Sequence, residues 1–513
     1  MPENVRITLL PLGHEITVKR GTPLRDVLFP YGVEFPCGGN AICEGCKVKV
    51  IEGHLPLTEE QENMLSRKEA GEGWRLACRC SATEDLTLEL AQWEAKILAD
   101  DTSFEFVPRE GYGIAIDLGT TTLAAQLLDL KTGHVLAVET ALNDQGRFGA
   151  DVMSRVFNAV TEKAQPDLES AIRSQLDGLV GKLIASAKIE PGLVQDVVIV
   201  GNTVMHHLFC GLDVNPLSQY PFESRLIGMQ VFHPSALGWK SVGNGEVRFL
   251  PCLGSFVGSD ILAGILATNL HTSQELVALI DLGTNGEIVV GNRDGFLFCS
   301  TAAGPAFEGS CISMGMRATT GAIVQVSGNG AGRECRVIGN VEPRGICGSG
   351  LVDAIAVGLQ SKEIREDGKI VTESGVFDVS SPVQLTQGDI RELQVAKAAI
   401  AAGVQILAKN LGKSVADITN VSLAGAFGNY IDRANAYRLG LLPVPPEKIK
   451  PAGNTALLGA KLALFQPDPA IYARIASLGR HVALNLDEEF QEIFVTEMLF
   501  PEVPDSSPQR PIN

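Results

Sequence analysis

Five of the eleven cysteines fall between positions 37 and 80. Three share one loop, Cys37-Gly-Gly-Asn-Ala-Ile-Cys43-Glu-Gly-Cys46, and Cys78 follows after 31 intervening residues. A [2Fe–2S] cluster needs four thiolates converging on two irons, so a glycine-rich loop must wrap one side while a separate segment closes the other. Gly38, Gly39 and Gly45 permit that wrap, because without a Cβ they reach positive φ and let backbone N–H groups approach the sulfurs. Zinc sites instead pair their ligands two to four residues apart, in two such pairs. The spacing therefore predicts a [2Fe–2S] centre on Cys37, Cys43, Cys46 and either Cys78 or Cys80, and with it single-electron transfer.

A second constellation is built from aspartate, glycine and threonine. The run Gly113-Ile-Ala-Ile-Asp117-Leu-Gly119-Thr120-Thr121-Thr122 returns as Ala278-Leu-Ile-Asp281-Leu-Gly283-Thr284-Asn285-Gly286, so Ile-Asp-Leu-Gly-Thr occurs twice, 164 residues apart. Each copy reads as strand, glycine turn, strand. Such a turn lets backbone N–H groups and hydroxyls approach phosphate oxygens, while the Asp faces a hydrated Mg²⁺. Two copies facing each other would clamp a β,γ-phosphate and its metal from both sides. A weaker echo pairs Val197-Val-Ile-Val-Gly201-Asn202-Thr203 with Val421-Ser-Leu-Ala424-Gly425-Ala426-Phe427-Gly428. The glycines at 425 and 428 would let an adenosine lie against bare backbone.

The elements that must hold these residues follow from periodicity. Alternating apolar residues predict strands near 5–9 and 16–18, then 47–51 and 86–90. Thr22 is expected to cap a short helix with Pro23 at its first position and Leu24, Val27 and Leu28 on its buried stripe. The segment from 395 to 411, rich in Ala, Ile and Leu, predicts a buried helix before the second glycine strand. The expected organisation is a cluster domain over 1–92, a linker over 93–111, an ATPase domain over 112–500 in two halves (112–275 and 276–500), and a tail over 501–513. Net charge is −18 with no dense basic run, which excludes nucleic acid as a natural partner. The start lacks a signal-peptide pattern and no apolar run approaches the roughly 18 residues that span a bilayer, so a cytoplasmic chain without membrane contact is expected.

The first hundred residues resemble β-grasp ferredoxins. The five-residue gap between the first two cysteines is similar to the adrenodoxin and bacterial variants, and Arg75-Leu-Ala-Cys78 resembles that family's last-ligand segment, which favours Cys78 over Cys80. Asp117 with Gly119, Thr120, Thr121 and Thr122, Asp281 with Gly283, Thr284, Asn285 and Gly286, and Gly425, Ala426 and Gly428 resemble the phosphate 1, phosphate 2 and adenosine motifs of the acetate and sugar kinase, heat-shock chaperone and actin superfamily. That resemblance implies a duplicated, ribonuclease H-like α/β ATPase fold, with Asp117 and Asp281 as its catalytic carboxylates and ATP with Mg²⁺ as its ligand.

Together the two halves resemble the reductive activators of corrinoid proteins. Further runs support this: Gly201-Asn-Thr-Val-Met-His206, Ala303-Gly304-Pro305-Ala-Phe-Glu308-Gly309, Gly345-Ile-Cys347-Gly-Ser-Gly350 and Leu423-Ala-Gly-Ala-Phe-Gly-Asn-Tyr430. The resemblance implies one-electron reduction of inactive Co(II) to Co(I) in a corrinoid (cobalamin-binding) protein serving methyl transfer or O-demethylation. It also implies an upstream low-potential electron donor, nucleotide contacts that include Gly304 and Pro305, and a homodimer. Longer family members carry a middle domain between ferredoxin and ATPase; only a short linker stands there in this chain, so that domain is expected to be absent. The competing reading is a ferredoxin-type electron carrier whose nucleotide-binding domain docks partners without turning over ATP. A small-metabolite kinase would require a catalytic base and a carbon-substrate pocket. A dehydratase-activating ATPase would place its cysteines inside the ATPase domain.

The remaining residues invite plainer readings. His206 and His207 are neighbours that point about 100° apart on a helix, and are expected to serve packing or surface. Cys210, Cys252, Cys299, Cys311, Cys335 and Cys347 are expected to be small buried hydrophobes, with Cys347 set apart by its glycine-rich loop.

Overall fold

The structure is a computed structural model describing residues 3–10, 14–28, 33, 46–90 and 106–502, apart from 284, 310, 320, 330 and 331. It divides into two compact units, Met1–Asn269 with Asn454–Gly479, and Leu270–Gly453 with Arg480–Asn513.

The first unit opens with strands β1 (Asn4–Leu10) and β2 (His14–Lys19), helix α1 (Leu24–Leu28), β3 (Lys47–Glu52), α2 (Glu59–Met64), β4 (Trp74–Leu76) and β5 (Leu86–Leu90). Their sheet runs β2-β1-β5-β3-β4, with β1 and β5 parallel. Val5, Ile7 and Leu9 alternate inward from β1 and Leu86, Leu88 and Leu90 from β5. They pack on Leu24, Val27 and Leu28 of α1, so a strand period of two meets a helical stripe in one apolar core. Thr22 does not cap α1. It lies with Pro23 in a two-residue strand paired to Ser81–Ala82, and its hydroxyl donates to the Lys19 carbonyl. Strand pairing consumed the position where a cap was expected.

A second sheet in the same unit carries β6 (Tyr112–Leu118), β7 (Thr122–Asp129), β8 (Val135–Leu142), β9 (Val194–Gly201), β10 (Gln230–Phe232) and β11 (Glu246–Phe249), with helices α3 (Val152–Thr161), α4 (Gln165–Ala187), α5 (Thr203–Cys210) and α6 (Ser259–Ala267) interleaved. Its order is β8-β7-β6-β9-β11-β10. The first three strands form an antiparallel meander, while β9 joins β6 in parallel and β11 joins β9 in parallel.

The second unit repeats this plan. Strands β12 (Val277–Leu282), β13 (Gly286–Asn292) and β14 (Gly295–Thr301) form a meander. Helices α7 (Gly348–Gln360) and α8 (Gln387–Asn410) follow, and β15 (Asn420–Ala424) adds in parallel to β12. After α9 (Gly425–Tyr430), β16 (Ile449–Gly453) adds in parallel to β15. Both sheets thus share the strand order 3-2-1-4 followed by one further parallel strand (β11 in the first, β16 in the second), the architecture of a duplicated actin-like fold. The expected buried helix is α8, held at its start by a Thr386–Asp389 capping box. The chain then returns to the first unit as α10 (Thr455–Leu464) and α11 (Pro469–Leu478), and α12 (Phe490–Glu497) closes the second.

Candidate functional site

In the cluster domain, Lys47 pairs with Leu76 across β3 and β4, and the Ala77 amide donates to the Cys46 carbonyl at 3.0 Å. Cys46 and Cys78 therefore stand on adjacent segments at one end of this ladder. Cys46 is buried and Cys78 half-exposed. Cys80 is buried in the core beside Gln61, whose Nε2 lies 3.9 Å from its Sγ, and burial pushes its thiol up to about 11. Cys78, half-exposed on the segment beside Cys46, has a placement that fits a cluster ligand, while Cys80 packs with the apolar core. Cys37, Cys43 and the glycines between them lie outside the described residues. Gln61, fully buried, also accepts from the Leu76 amide at 2.8 Å and so anchors β4 just before Cys78. Nothing in its sequence setting distinguished it from a surface glutamine.

The first hairpin turns tightly after Asp117: the Gly119 amide donates to the Thr122 carbonyl at 3.1 Å, and a Cβ on Gly119 would stand 2.5 Å from that oxygen. Four side chains pin it. Asn143 Nδ2 donates to the Gly119 carbonyl at 2.9 Å, and the Asn143 amide donates to the Thr121 carbonyl at 2.8 Å. Asn202, which caps α5, donates through Nδ2 to Thr120 Oγ1 at 2.7 Å. Arg155 of α3, wholly buried, donates from Nη2 to the Thr120 carbonyl and from Nε to the Gly149 carbonyl. Desolvation lowers its pKa to about 9, which leaves it charged at neutral pH, a cation fixed behind the turn. Asn454, the N-cap of α10, donates from Nδ2 to Asp117 Oδ2 at 2.8 Å. Apart from Asn202, which stood inside a glycine motif, none of these was singled out from sequence.

In the second unit Asp281 is the penultimate residue of its strand, as Asp117 is of β6. Asp117 pairs with Val200 and Asp281 with Ala424, so Gly201 and Gly425 take equivalent places one residue on. Gly425 has φ +85°, and a Cβ there would lie 2.7 Å from Asp281 Oδ1. Only glycine leaves that carboxyl in place. Burial pushes Asp281 up to about 6.

The other candidate glycines separate into two groups. A Cβ at Gly286 would collide with Ile400 of α8, and one at Gly428 would stand 2.9 Å from Leu423, so both allow close packing. Gly283 meets nothing nearer than the Asn285 carbonyl at 3.7 Å, and Gly304, at φ +74°, meets nothing within 4 Å. These two leave backbone open to a ligand. Pro305 begins a short 3₁₀ turn to Glu308, Ala426 lies in α9, Asn285 precedes β13, and Thr284 is outside the described residues.

His206 and His207 are buried packing residues. His207 bridges the Thr203 carbonyl at 2.8 Å and Ser224 Oγ at 2.7 Å. Cys210, Cys252, Cys299 and Cys347 are buried, but Cys335 is half-exposed and Cys311 exposed, so the expectation of buried thiols fails at those two. Cys347 is the N-cap residue of α7, its sulfur 3.2 Å from Ser349 Oγ. No helix among the described residues is long and apolar enough to cross a membrane.

A ferredoxin-type [2Fe–2S] domain joined to a duplicated actin-like ATPase defines a class of ATP-using electron-transfer proteins. Family models make this specific: residues 7–83 match the 2Fe-2S iron-sulfur cluster binding domain, 112–273 the RACo middle region, and 275–509 the C-terminal, ASKHA domain of RACo. The chain is 35% identical over 446 residues to the corrinoid activation enzyme RamQ of Eubacterium limosum, covering 79% of this chain and 74% of that one. It is 28% identical over 424 residues to the [Co(II) methylated amine-specific corrinoid protein] reductase of Methanosarcina barkeri, covering 76% and 77%. A solved reductive activator for corrinoid, iron-sulfur protein superposes with a TM-score of 0.69 at 27% identity, over 97% of this chain and 98% of that one. The chain belongs to the RACo family, the reductive activators of corrinoid proteins. The middle-region match at 112–273 covers the segment read from sequence as the first ATPase half, which carries the Asp117 hairpin.

Proposed function

We propose that this chain is an ATP-dependent corrinoid reductase, passing one electron from its [2Fe–2S] centre to the Co(II) of a corrinoid protein to give Co(I). The observation that carries this is the identity to a corrinoid activation enzyme, which extends over 79% of the chain. Cys37, Cys43, Cys46 and Cys78 would hold the cluster, which when bound supplies electrons singly at about −400 mV. Cys80, packed in the core beside Gln61, is left out of this ligand set.

ATP with Mg²⁺ is assigned to the two hairpins. Asp117 and Asp281 would carry the hydrated metal, and Gly119, Thr120, Thr121 and Thr122 with Gly283, Thr284, Asn285 and Gly286 would offer backbone and hydroxyl donors to phosphate. Arg155 and Asn202 hold Thr120 from behind, so the first turn is ordered before any ligand arrives. Gly304, Pro305, Gly425, Ala426 and Gly428 are assigned to the remaining nucleotide contacts. An upstream low-potential donor, a cytoplasmic setting and a homodimer complete the reading.

Reducing the cobalt by such a cluster is uphill unless the cobalt potential rises. A gap of roughly 100 mV for one electron corresponds to about 2.3 kcal/mol, which nucleotide-driven closure can supply. The test is an anaerobic assay with candidate corrinoid proteins, chemical reductant and ATP, following the Co(I) absorption band. The expected result is Co(I) formation that needs both ATP and the cluster, lost in Cys43→Ser while nucleotide binding persists. Co(I) formed without ATP, or by Cys43→Ser, refutes it. Stoichiometric ATP retention without turnover would favour a docking module instead.

A further inference from the structure

We propose that α10 is a coupling rod between the nucleotide turn and the polypeptide that leads in from the cluster domain, with Asn454 and Arg109 as the positioning residues at its two ends; this rests on the assignment of ATP to the Asp117 hairpin. At the N-terminal end, the Asn454 side chain does two things at once. Its Oδ1 accepts from the Leu457 amide at 2.8 Å, capping the helix, while its Nδ2 donates to Asp117 Oδ2 at 2.8 Å. Any shift of the Asp117 carboxylate toward a metal-bound phosphate therefore pulls on the helix cap.

At the other end, ten residues and about 15 Å along, the helix is gripped by residues 106–109. Arg109 Nη1 donates to the Leu464 carbonyl and Nη2 pairs with Asp196 at 2.8 Å. A cation there complements the negative end of the helix. The Phe106 ring lies 4.5 Å from that of Phe465, and a Cβ on Gly133 would collide with it. The Arg109 amide donates to the Leu130 carbonyl and the Leu130 amide to the Gly111 carbonyl, so residues 109–111 are zipped to the chain that follows β7.

Between its ends the helix has no slack. A Cβ at Gly459 would collide with the Ala263 carbonyl of α6, and one at Gly113, at the start of β6, would stand 2.9 Å from Leu464. The start of α6 is itself tied to the turn: Ser259 Oγ accepts from the Gly201 amide at 3.1 Å, next to the Asn202 that holds Thr120. Packing this close moves as a body. Displacement at Asp117 is thus passed along the helix to the clamp at residues 106–109, which continues the polypeptide leading in from the cluster domain.

The test is hydrogen exchange at the Arg109 and Leu130 amides of the full holoprotein, with and without a non-hydrolysable ATP analogue and Mg²⁺, alongside a separate binding titration. Bound analogue is expected to slow both amides by about fivefold or more, the low end of ordinary site-to-site coupling. Asn454→Ser keeps a capping oxygen but has no amide to reach Asp117; it should bind analogue about fivefold or more weakly and, at saturating analogue, lose the slowing. Arg109→Gln should weaken the analogue by the same factor, since coupling is reciprocal. Analogue that binds wild-type protein while both amides exchange unchanged overturns the rod alone. Analogue that does not bind at all overturns the nucleotide assignment with it.

Discussion

Replacing Asp281 by Asn should make the second unit more stable and the protein inactive. Burial pushes this carboxyl from 3.8 to about 6, so its ionised form is the disfavoured one in the fold. The difference of about 2.2 units, at about 1.36 kcal/mol each, bounds the cost of ionisation at about 3 kcal/mol above pH 6. The sign follows from linkage. A raised folded pKa means the fold holds a proton the unfolded chain releases, so the contribution is intact below 3.8 and lost as pH rises through about 6. The residue is half-buried by surface area, and the amide must still satisfy its N–H groups, so about 1–2 kcal/mol is a realistic gain for Asp281→Asn at pH 8. For a unit of roughly two hundred residues that is a rise of about 3–6 °C in its melting transition. The assay is nucleotide-free thermal unfolding at pH 5 and pH 8, with the advantage of the variant widening by about 1 kcal/mol between them. Adding Mg²⁺ and an ATP analogue should stabilise the parent and not the variant. A variant no more stable than the parent at pH 8 would refute the claim that this carboxylate is strained by desolvation.

Cys78→Ser should abolish the electron paramagnetic resonance signal of the reduced cluster, whereas Cys80→Ser should retain it, because Cys80 packs in the core beside Gln61. Asp117→Ala is expected to eliminate ATP-dependent Co(I) formation while leaving the cluster's visible spectrum intact; activation at the parental rate would remove this carboxylate from the mechanism. Arg155→Met deletes the buried cation behind Thr120 and the charged hydrogen bond it makes there. Such a bond is worth about 1.5–3 kcal/mol, so calorimetry should find nucleotide bound about tenfold or more weakly.

The cluster was legible because its ligands are the signal: four cysteines carry both the chemistry and the spacing. The hairpins were legible because duplication repeats a pentapeptide. What escaped was whatever acts across long separations. Asn454 reaches Asp117 from 337 positions away, and before a helix an asparagine reads only as a cap. Arg155 reads as one more charged residue on an amphipathic helix until the fold buries it. Packing across the fold was equally hidden: Gly286 and Gly428 sit in nucleotide-like motifs and also stand against Ile400 and Leu423. The hairpin of the 112–273 segment repeats that of the C-terminal domain, which is why the two were read as halves of one ATPase.

That repetition has a physical consequence, because the two copies are alike in backbone and, among the described residues, differ in what stands beside the carboxylate. Asp117 and Asp281 close equivalent strands, each one residue short of the level of a glycine on the neighbouring parallel strand. The first turn is braced by Asn143, Arg155, Asn202 and Asn454, whereas beside Asp281 stands Gly425, whose missing side chain makes room for the carboxyl. A braced turn is preorganised and changes little when phosphate arrives. A desolvated carboxylate is relieved by a cation and so gains most from ligand. On the proposed nucleotide assignment the duplicated fold would divide the work: the first hairpin would offer a fixed reference tied to the rest of its unit, and the second would supply the differential affinity by which nucleotide can shift a conformational equilibrium.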